Sequence, residues 1–145
     1  MSIWHGTPSL EALNALCADT LLERLDIRFT EFGDDFLCAS MPVDRRTRQP
    51  QGLLHGGASV ALAESLGSTA ATLCIDAAEY QQVGLEINAN HVRSARAGLV
   101  VGTARPVHIG RRTQIWSIEI RDAAAKLICL SRLTVAVIKR GALGA

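Results

Sequence analysis

An α+β fold, with a curved antiparallel sheet packed against one long central helix, is what this 145-residue sequence predicts. Two observations carry the prediction. From Gln82 onward the chain reads as consecutive strands, with apolar and polar residues alternating and short turns between them. Ahead of them, residues 55–74 (HGGASVALAESLGSTAATLC) are rich in Ala, Ser and Gly and suffice for about five helical turns. With no internal repeat and no long linker, residues 1–145 are expected to form a single domain.

In chain order, Ser9 is placed to cap a short amphipathic helix over residues 9–18, where Leu10, Leu13 and Leu16 recur at helical spacing. Residues 25–30 and 36–43 read as two strands joined by the turn Gly33-Asp34-Asp35. Residues 44–52 (DRRTRQPQG) are polar, with a proline and a glycine, and form a loop. In the long helix Leu62, Leu66 and Leu73 fall near one stripe, and the small residues let a sheet or a partner helix approach closely. After the linker DAAEY comes a strand over 82–93, in which Val83, Leu85, Ile87 and Ala89 alternate with Gln82, Gly84, Glu86 and Asn88. Pro106 within the strand 99–109 points to an edge position or a bulge. In 112–121, Trp116, Ile118 and Ile120 alternate with Ser117, Glu119 and Arg121. The last strand, 127–138, is apolar on both faces except around Ser131 to Thr134. Gly98, Gly110 and the run Asp122-Ala123-Ala124-Ala125 supply the turns.

Composition narrows the function classes. Hydrophobic residues make up 48% and charged ones 20%, which excludes a disordered or low-complexity chain. The net charge of +1 hides an acidic front and a basic back. Residues 1–72 hold five basic and nine acidic groups, and residues 73–145 hold ten and five. Thirteen of the fifteen basic residues are Arg, whose planar fork suits phosphates and carboxylates, although codon bias explains most of the excess. Their dispersal, with only 4% aromatics, argues against a nucleic-acid partner. The start MSIWHGTPSL lacks the pattern of a secretory signal, and no run approaches the roughly 20 apolar residues that span a bilayer. Cys17, Cys38, Cys74 and Cys129 are far apart in apolar surroundings with no Cys-x-x-Cys pair. They read as reduced core thiols of a cytoplasmic protein that binds neither metal nor membrane. His5 and His108 read as structural or surface groups.

One charge stands alone. Between Gln49 and Ile75 there are 27 residues, and Glu64 is the only one with a formal charge when His55 is neutral. Its neighbours one turn away are Val60, Ala61, Gly67 and Ser68, a small and weakly polar face, whereas a solvated helix face carries several charges. At the helix start, Leu54-His55-Gly56-Gly57 presents side-chain-free amides at the positive end of the dipole, where an oxyanion can be accepted. Gly56 and Glu64 lie eight residues apart, about 12 Å along one helix. A reacting carbonyl must sit about 3 Å from both groups. A shared carbonyl therefore requires two chains, with antiparallel helices across a two-fold axis and two composite sites.

The segment QPQGLLHGGASVALAESLGSTAA resembles the signature of the hotdog-fold acyl-CoA thioesterases, with the Gln…His-Gly-Gly…Glu spacing intact. The branch it resembles contains phenylacetate-pathway, 4-hydroxybenzoyl-CoA and 1,4-dihydroxy-2-naphthoyl-CoA thioesterases, with the enterobacterial dihydroxynaphthoyl-CoA and aryl-carrier-protein enzymes most alike. The likeness extends over SLEALNAL, LDIRF, MPVDRRTRQP, VGLEINANHVRSAR and SRLTVAVI.

That resemblance implies a hotdog fold and hydrolysis of acyl-CoA thioesters. It implies Glu64 as nucleophile or general base and the Gly56 amide as the donor that polarises the thioester carbonyl. Gln49 and His55 would hold the acyl group and the thioester oxygen or a water, and Ser68 would orient the carboxylate or the water. His91, Arg93, Ser94, Arg111 and Arg112 would reach the phosphates and pantetheine of coenzyme A, which is part of the substrate, no cofactor being needed. It further implies that Glu64 faces Gln49, His55 and Gly56 of a neighbouring subunit, in a dimer that pairs into a homotetramer. Three alternatives stand beside this reading: a proofreading thioesterase on an acyl or aryl carrier protein, a non-catalytic acyl-CoA-binding module, and a dehydratase with His55 as base. The sequence leaves the acyl group and the choice between nucleophile and general base open.

Overall fold

The computed structural model describes residues 1–143; residues 144 and 145, the last two of the expected domain, lie outside the described residues. Its elements are α1 (Leu10–Ala15), α2 (Leu21–Arg24), β1 (Arg28–Phe32), β2 (Leu37–Pro42), α3 (Gly56–Leu73), β3 (Tyr80–His91), β4 (Leu99–Ile109), β5 (Thr113–Arg121) and β6 (Leu127–Lys139). The six strands form one sheet in the order β1-β2-β4-β5-β6-β3, every neighbouring pair antiparallel. The α3 helix lies on one face and touches five of the six strands.

The core forms between that helix and the sheet. Leu62, Ala63, Leu66 and Ala70 of α3 are fully buried against Met41, Val100, Ala104, Trp116, Ile118, Ile120, Leu133 and Val135. Each large aliphatic side chain removed from water in this way contributes about 1.5–3 kcal/mol. Trp4 stacks on Trp116 at 6.4 Å between ring centroids, closing the end of the core. Burial raises the thiols of Cys17, Cys38 and Cys129, which lie in the interior as expected, and pushes the part-buried Cys74 up to about 12.

Two departures from the sequence reading, and the bulge that it offered as one of two options for Pro106, have local causes. First, α1 ends at Ala15, although Ser9 does cap it, its Oγ accepting the Ala12 N–H at 3.2 Å. A second short helix, α2, follows, capped by Thr20, whose Oγ1 accepts the Leu22 N–H at 3.2 Å. Leu25 closes α2 and Asp26 has φ +53°, so β1 starts at Arg28 and not at residue 25.

Second, Pro106 lies in an inner strand, at a bulge between Pro106 and His108. It also lies beyond the stretch where β2 pairs with β4, which stops at Ala104, so no ladder bond is demanded on that side.

Third, β3 starts at Tyr80, ends at His91 and does not keep one alternation along its length. Its register against β6 shifts between Gly84 and Glu86, leaving Leu85 as the extra residue of a bulge. Before the bulge, Gln82 and Gly84 face α3; after it, Ile87 and Ala89 pack on the core. Leu85 is 62% exposed, although the sequence pattern groups it with Ile87. One extra residue exchanges the two faces of a strand.

Candidate active site

The carboxylate comes first, because α3 forces its position. Glu64 sits half-buried in the middle of the helix on the side that meets β3. One turn on, the Ser68 hydroxyl donates to Glu64 Oε1 at 3.0 Å, fixing one oxygen and leaving the other available. Across from it stands Gly84, where a Cβ would fall 3.1 Å from the same Oε1. The absence of a side chain at Gly84 lets the strand approach the carboxylate closely. That glycine in the middle of a strand was a legible signal of close approach, and the sequence reading did not use it.

The second cluster forms at the start of α3. His55 is the N-cap, its Nδ1 accepting the Gly57 N–H at 2.7 Å, which leaves Nε2 as the protonated nitrogen of the neutral ring. The Ala58 and Ser59 amides donate to the His55 carbonyl at 3.0 and 3.2 Å. Of the four first-turn donors, only the Gly56 amide has no protein acceptor among the described residues. A helix with an unused N–H at its positive end is set to receive an anionic oxygen. The loop before it holds Gln49 in a tight turn, where Gln49 Oε1 accepts the Gln51 N–H at 2.5 Å. Its Oε1 is thus occupied within the turn, and the amide NH₂ is the end with donors to offer.

A cleft of about 390 Å³ joins these groups to the end of β3, with Gln49, Gly56, His91, Arg93 and Ser94 all on its wall. His91 lies directly on Gly56, where a Cβ would come 2.9 Å from the imidazole Nε2. Five of the ten candidate residues therefore meet in one place, and His55 adjoins them. Glu64 and Ser68 do not join them within the chain, since seven residues of helix intervene between Glu64 and Gly56. Arg111 and Arg112 lie at the opposite end, in a cleft of about 860 Å³ with Tyr80, Lys139 and Cys74, next to the C-terminus of α3. His5 and His108 are exposed. No group of His, Cys, Asp and Glu with the geometry of a metal site occurs among the described residues, and none of their helices is long and apolar enough to cross a membrane.

This arrangement offers a positioned carboxylate, an unused backbone donor and exposed cationic ends, the parts needed to attack a carbonyl carbon and stabilise its oxyanion. Comparison with known proteins agrees. Residues 51–129 match the family model described as the thioesterase superfamily. The chain is 58% identical over 136 residues to the 1,4-dihydroxy-2-naphthoyl-CoA hydrolase of Escherichia coli K12, covering 94% of this chain and 99% of that one. It is 51% identical over 135 residues to the proofreading thioesterase EntH of Cronobacter turicensis, covering 93% and 98%. Among solved structures, a glutamine-to-alanine mutant of thioesterase PA1618 from Pseudomonas aeruginosa superposes with a TM-score of 0.94 at 53% identity, covering 95% of this chain and 99% of the other. Thioesterase HI1161 from Haemophilus influenzae gives 0.94 at 48%, covering 99% of both. A sheet wrapped on one helix, a lone oriented carboxylate and these relatives lead to one conclusion: the chain belongs to the thioesterase superfamily and is a hotdog-fold thioester hydrolase.

Proposed function

We propose that the chain hydrolyses aromatic and hydroxyaryl acyl-CoA thioesters in two composite sites, each shared between two copies of itself. The observation that carries the proposal is the separation of two incomplete half-sites on one helix. One holds the Ser68-oriented carboxylate of Glu64, and the other holds the unused Gly56 amide. In the shared site the Gly56 amide polarises the thioester carbonyl, with Gln49 and His55 beside it to hold the acyl group, the oxygen or a water. Glu64 then either attacks the carbonyl carbon to form a mixed anhydride or removes a proton from an attacking water. In both routes the carbon–sulfur bond breaks and the coenzyme leaves as a thiolate that takes up a proton; on the water route the acid forms in that step, and on the anhydride route a water then hydrolyses the anhydride, restoring the Glu64 carboxylate and releasing the acid. A thioester expels its sulfur readily, so one carboxylate and one fixed donor suffice. Single-turnover hydrolysis in heavy-oxygen water separates the routes, since only the anhydride route leaves label in Glu64.

The edge of the sheet supports the dimer. β3 ends the strand order and presents 12 residues of backbone on its free side, with Leu85 exposed. Such an edge pairs readily with another strand. Antiparallel pairing of β3 with a second β3 brings the Tyr80 end of one chain toward the His91 end of the other. Arg111 and Arg112 of one copy then approach His91, Arg93 and Ser94 of its partner, assembling one cationic rim for the coenzyme phosphates. Two such dimers form the tetramer implied by the family resemblance, working in the cytoplasm without a cofactor.

A second substrate form, the same acyl group on a carrier protein, is favoured by the likeness to a protein named proofreading thioesterase EntH. Specificity constants over benzoyl-, hydroxybenzoyl-, dihydroxynaphthoyl- and medium-chain fatty acyl-CoA, repeated with carrier-bound acyl groups, rank the substrates. In that assay Glu64→Ala is expected to lower kcat by about 10³ while KM changes little. Wild-type turnover in the variant overturns the assignment of Glu64, and full activity in a monomer overturns the shared site.

A further inference from the structure

We infer that the cavity between the N-terminal helices and the second half of α3 receives the acyl group, and that Gln82 selects acyl groups carrying a hydroxyl. The inference rests on the thioesterase reading above and adds a specificity-determining residue to it. The cavity encloses about 310 Å³, within the size range of small-ligand sites. Leu13, Leu22, Phe29 and Leu73 supply apolar walls, as an aromatic ring requires. Ser68 also lines it, and Ser68 is bonded to the Glu64 carboxylate, so the cavity adjoins the point of attack.

The polar groups on its wall then divide sharply. Thr69 and Thr72 donate their hydroxyls to the carbonyls of Ser65 and Ser68, at 2.7 and 3.0 Å, inside their own helix. Thr20 donates to the Cys17 carbonyl at 2.6 Å and accepts from Leu22, and the Cys17 thiol donates to the Leu13 carbonyl at 3.4 Å. Ser68 is engaged by Glu64. Gln82 is the exception. Its Oε1 is buried and has no hydrogen-bond partner among the described residues. A buried carbonyl oxygen is normally paired, and the carboxamide of this cavity-lining side chain can turn to offer its unpaired oxygen to a ligand donor.

Gln82 and Gly84 stand on the same side of β3, before the bulge, about 7 Å apart by strand geometry. Since Gly84 abuts the carboxylate, Gln82 stands roughly one aromatic ring beyond the attacked carbonyl. That is where a ring hydroxyl of a hydroxyaryl acyl group falls. The hydroxyl donates to the Gln82 carbonyl, and a turn of the carboxamide exchanges donor for acceptor without moving the ring.

The test measures kcat/KM of the full-length enzyme on 4-hydroxybenzoyl-CoA and benzoyl-CoA, with size-exclusion chromatography of every variant. The wild type is expected to favour the hydroxylated substrate by about 10–100-fold. Gln82→Met keeps the length of the side chain and removes its amide. It should bring the ratio close to one by slowing the hydroxylated substrate while sparing benzoyl-CoA. Gln82→Asn, which withdraws the carboxamide by one carbon, should give the same loss if the methionine variant folds poorly. An unchanged ratio in a variant of unaltered assembly overturns the inference, as does a variant that dissociates with its ratio intact, which assigns Gln82 to a subunit contact. A wild type that hydrolyses neither thioester overturns the underlying thioesterase reading instead.

Discussion

The two half-sites on α3 are built from different materials. The Glu64 half is made of side chains: a carboxylate, a hydroxyl that orients it, and the bare face of Gly84. The Gly56 half is made of backbone, an amide left over because His55 and its carbonyl satisfy the rest of the first turn. The first can be erased by a single substitution. The second persists through most substitutions and yields only when the amide itself is removed. One helix thus carries a fragile half and a robust half, and in the proposed shared site each needs the other.

The strongest way to break this comparison disables each half in a separate copy. Gly56 is the first helical residue, where proline fits the backbone, so Gly56→Pro deletes the donor and pushes aside the exposed His91 ring, disabling this half alone. It should cost about 10²–10³ in kcat, and Glu64→Ala about 10³. Mixed and allowed to exchange subunits, the two inactive proteins should regain about a quarter of wild-type activity, because each mixed dimer holds one intact site. No recovery, with exchange shown by native mass spectrometry, refutes sites shared between chains.

A finer probe perturbs the fragile half without removing it. In Gly84→Ala the new methyl lies 3.1 Å from Glu64 Oε1, tight enough to shift the carboxylate by a few tenths of an ångström. The expected result is about a tenfold fall in kcat with an unchanged melting temperature, since catalysis is more sensitive to such displacement than packing is.

Arg111 tests the rim, far from both halves within its own chain. Arg111→Ala is expected to raise KM for acyl-CoA several-fold and weaken its dependence on salt, while leaving kcat intact. A fall in kcat alone would place Arg111 nearer the chemistry than the rim.

The smallest effect concerns acid stability in the loop before Gln49. The Arg46 guanidinium donates to Asp44 at 2.6 Å, and with the Arg46 backbone N–H lowers the Asp44 carboxyl from 3.8 to about 2. The folded value lies below the unfolded one, so this stabilisation is complete above pH about 4 and lost as the pH falls toward 2. Both side chains are solvent-exposed and screened, so Arg46→Ala should lower stability only slightly at pH 7, with the difference from wild type shrinking to nothing as the pH falls toward 2. Acid titration followed by circular dichroism measures it.

Much of this molecule was readable before folding because its signals are local. Ser9 as a cap, the helix over 56–73, the buried alternation of Trp116, Ile118 and Ile120, and the bulge at Pro106 all follow from preferences within a few residues. The isolation of Glu64 among uncharged residues was equally visible, because charge patterning needs no coordinates. α2 was missed because its four residues are too few for a periodic pattern, and it shortens β1 through the turn at Asp26.

What the sequence determined by itself is therefore the set of elements, the lone carboxylate, the glycines at the helix start and the distance between them. Helix periodicity alone fixes Gly56 and Glu64 about 12 Å apart. Only the tertiary structure decided which face of β3 meets the helix. That choice hangs on a single unpaired residue, Leu85, which no alternation rule reveals because the sequence stays regular through it. The bulge sets Gly84 against the carboxylate and Gln82 into the adjoining cavity. Both are long-range consequences of how β3 registers on β6, a partner some fifty residues away in the chain.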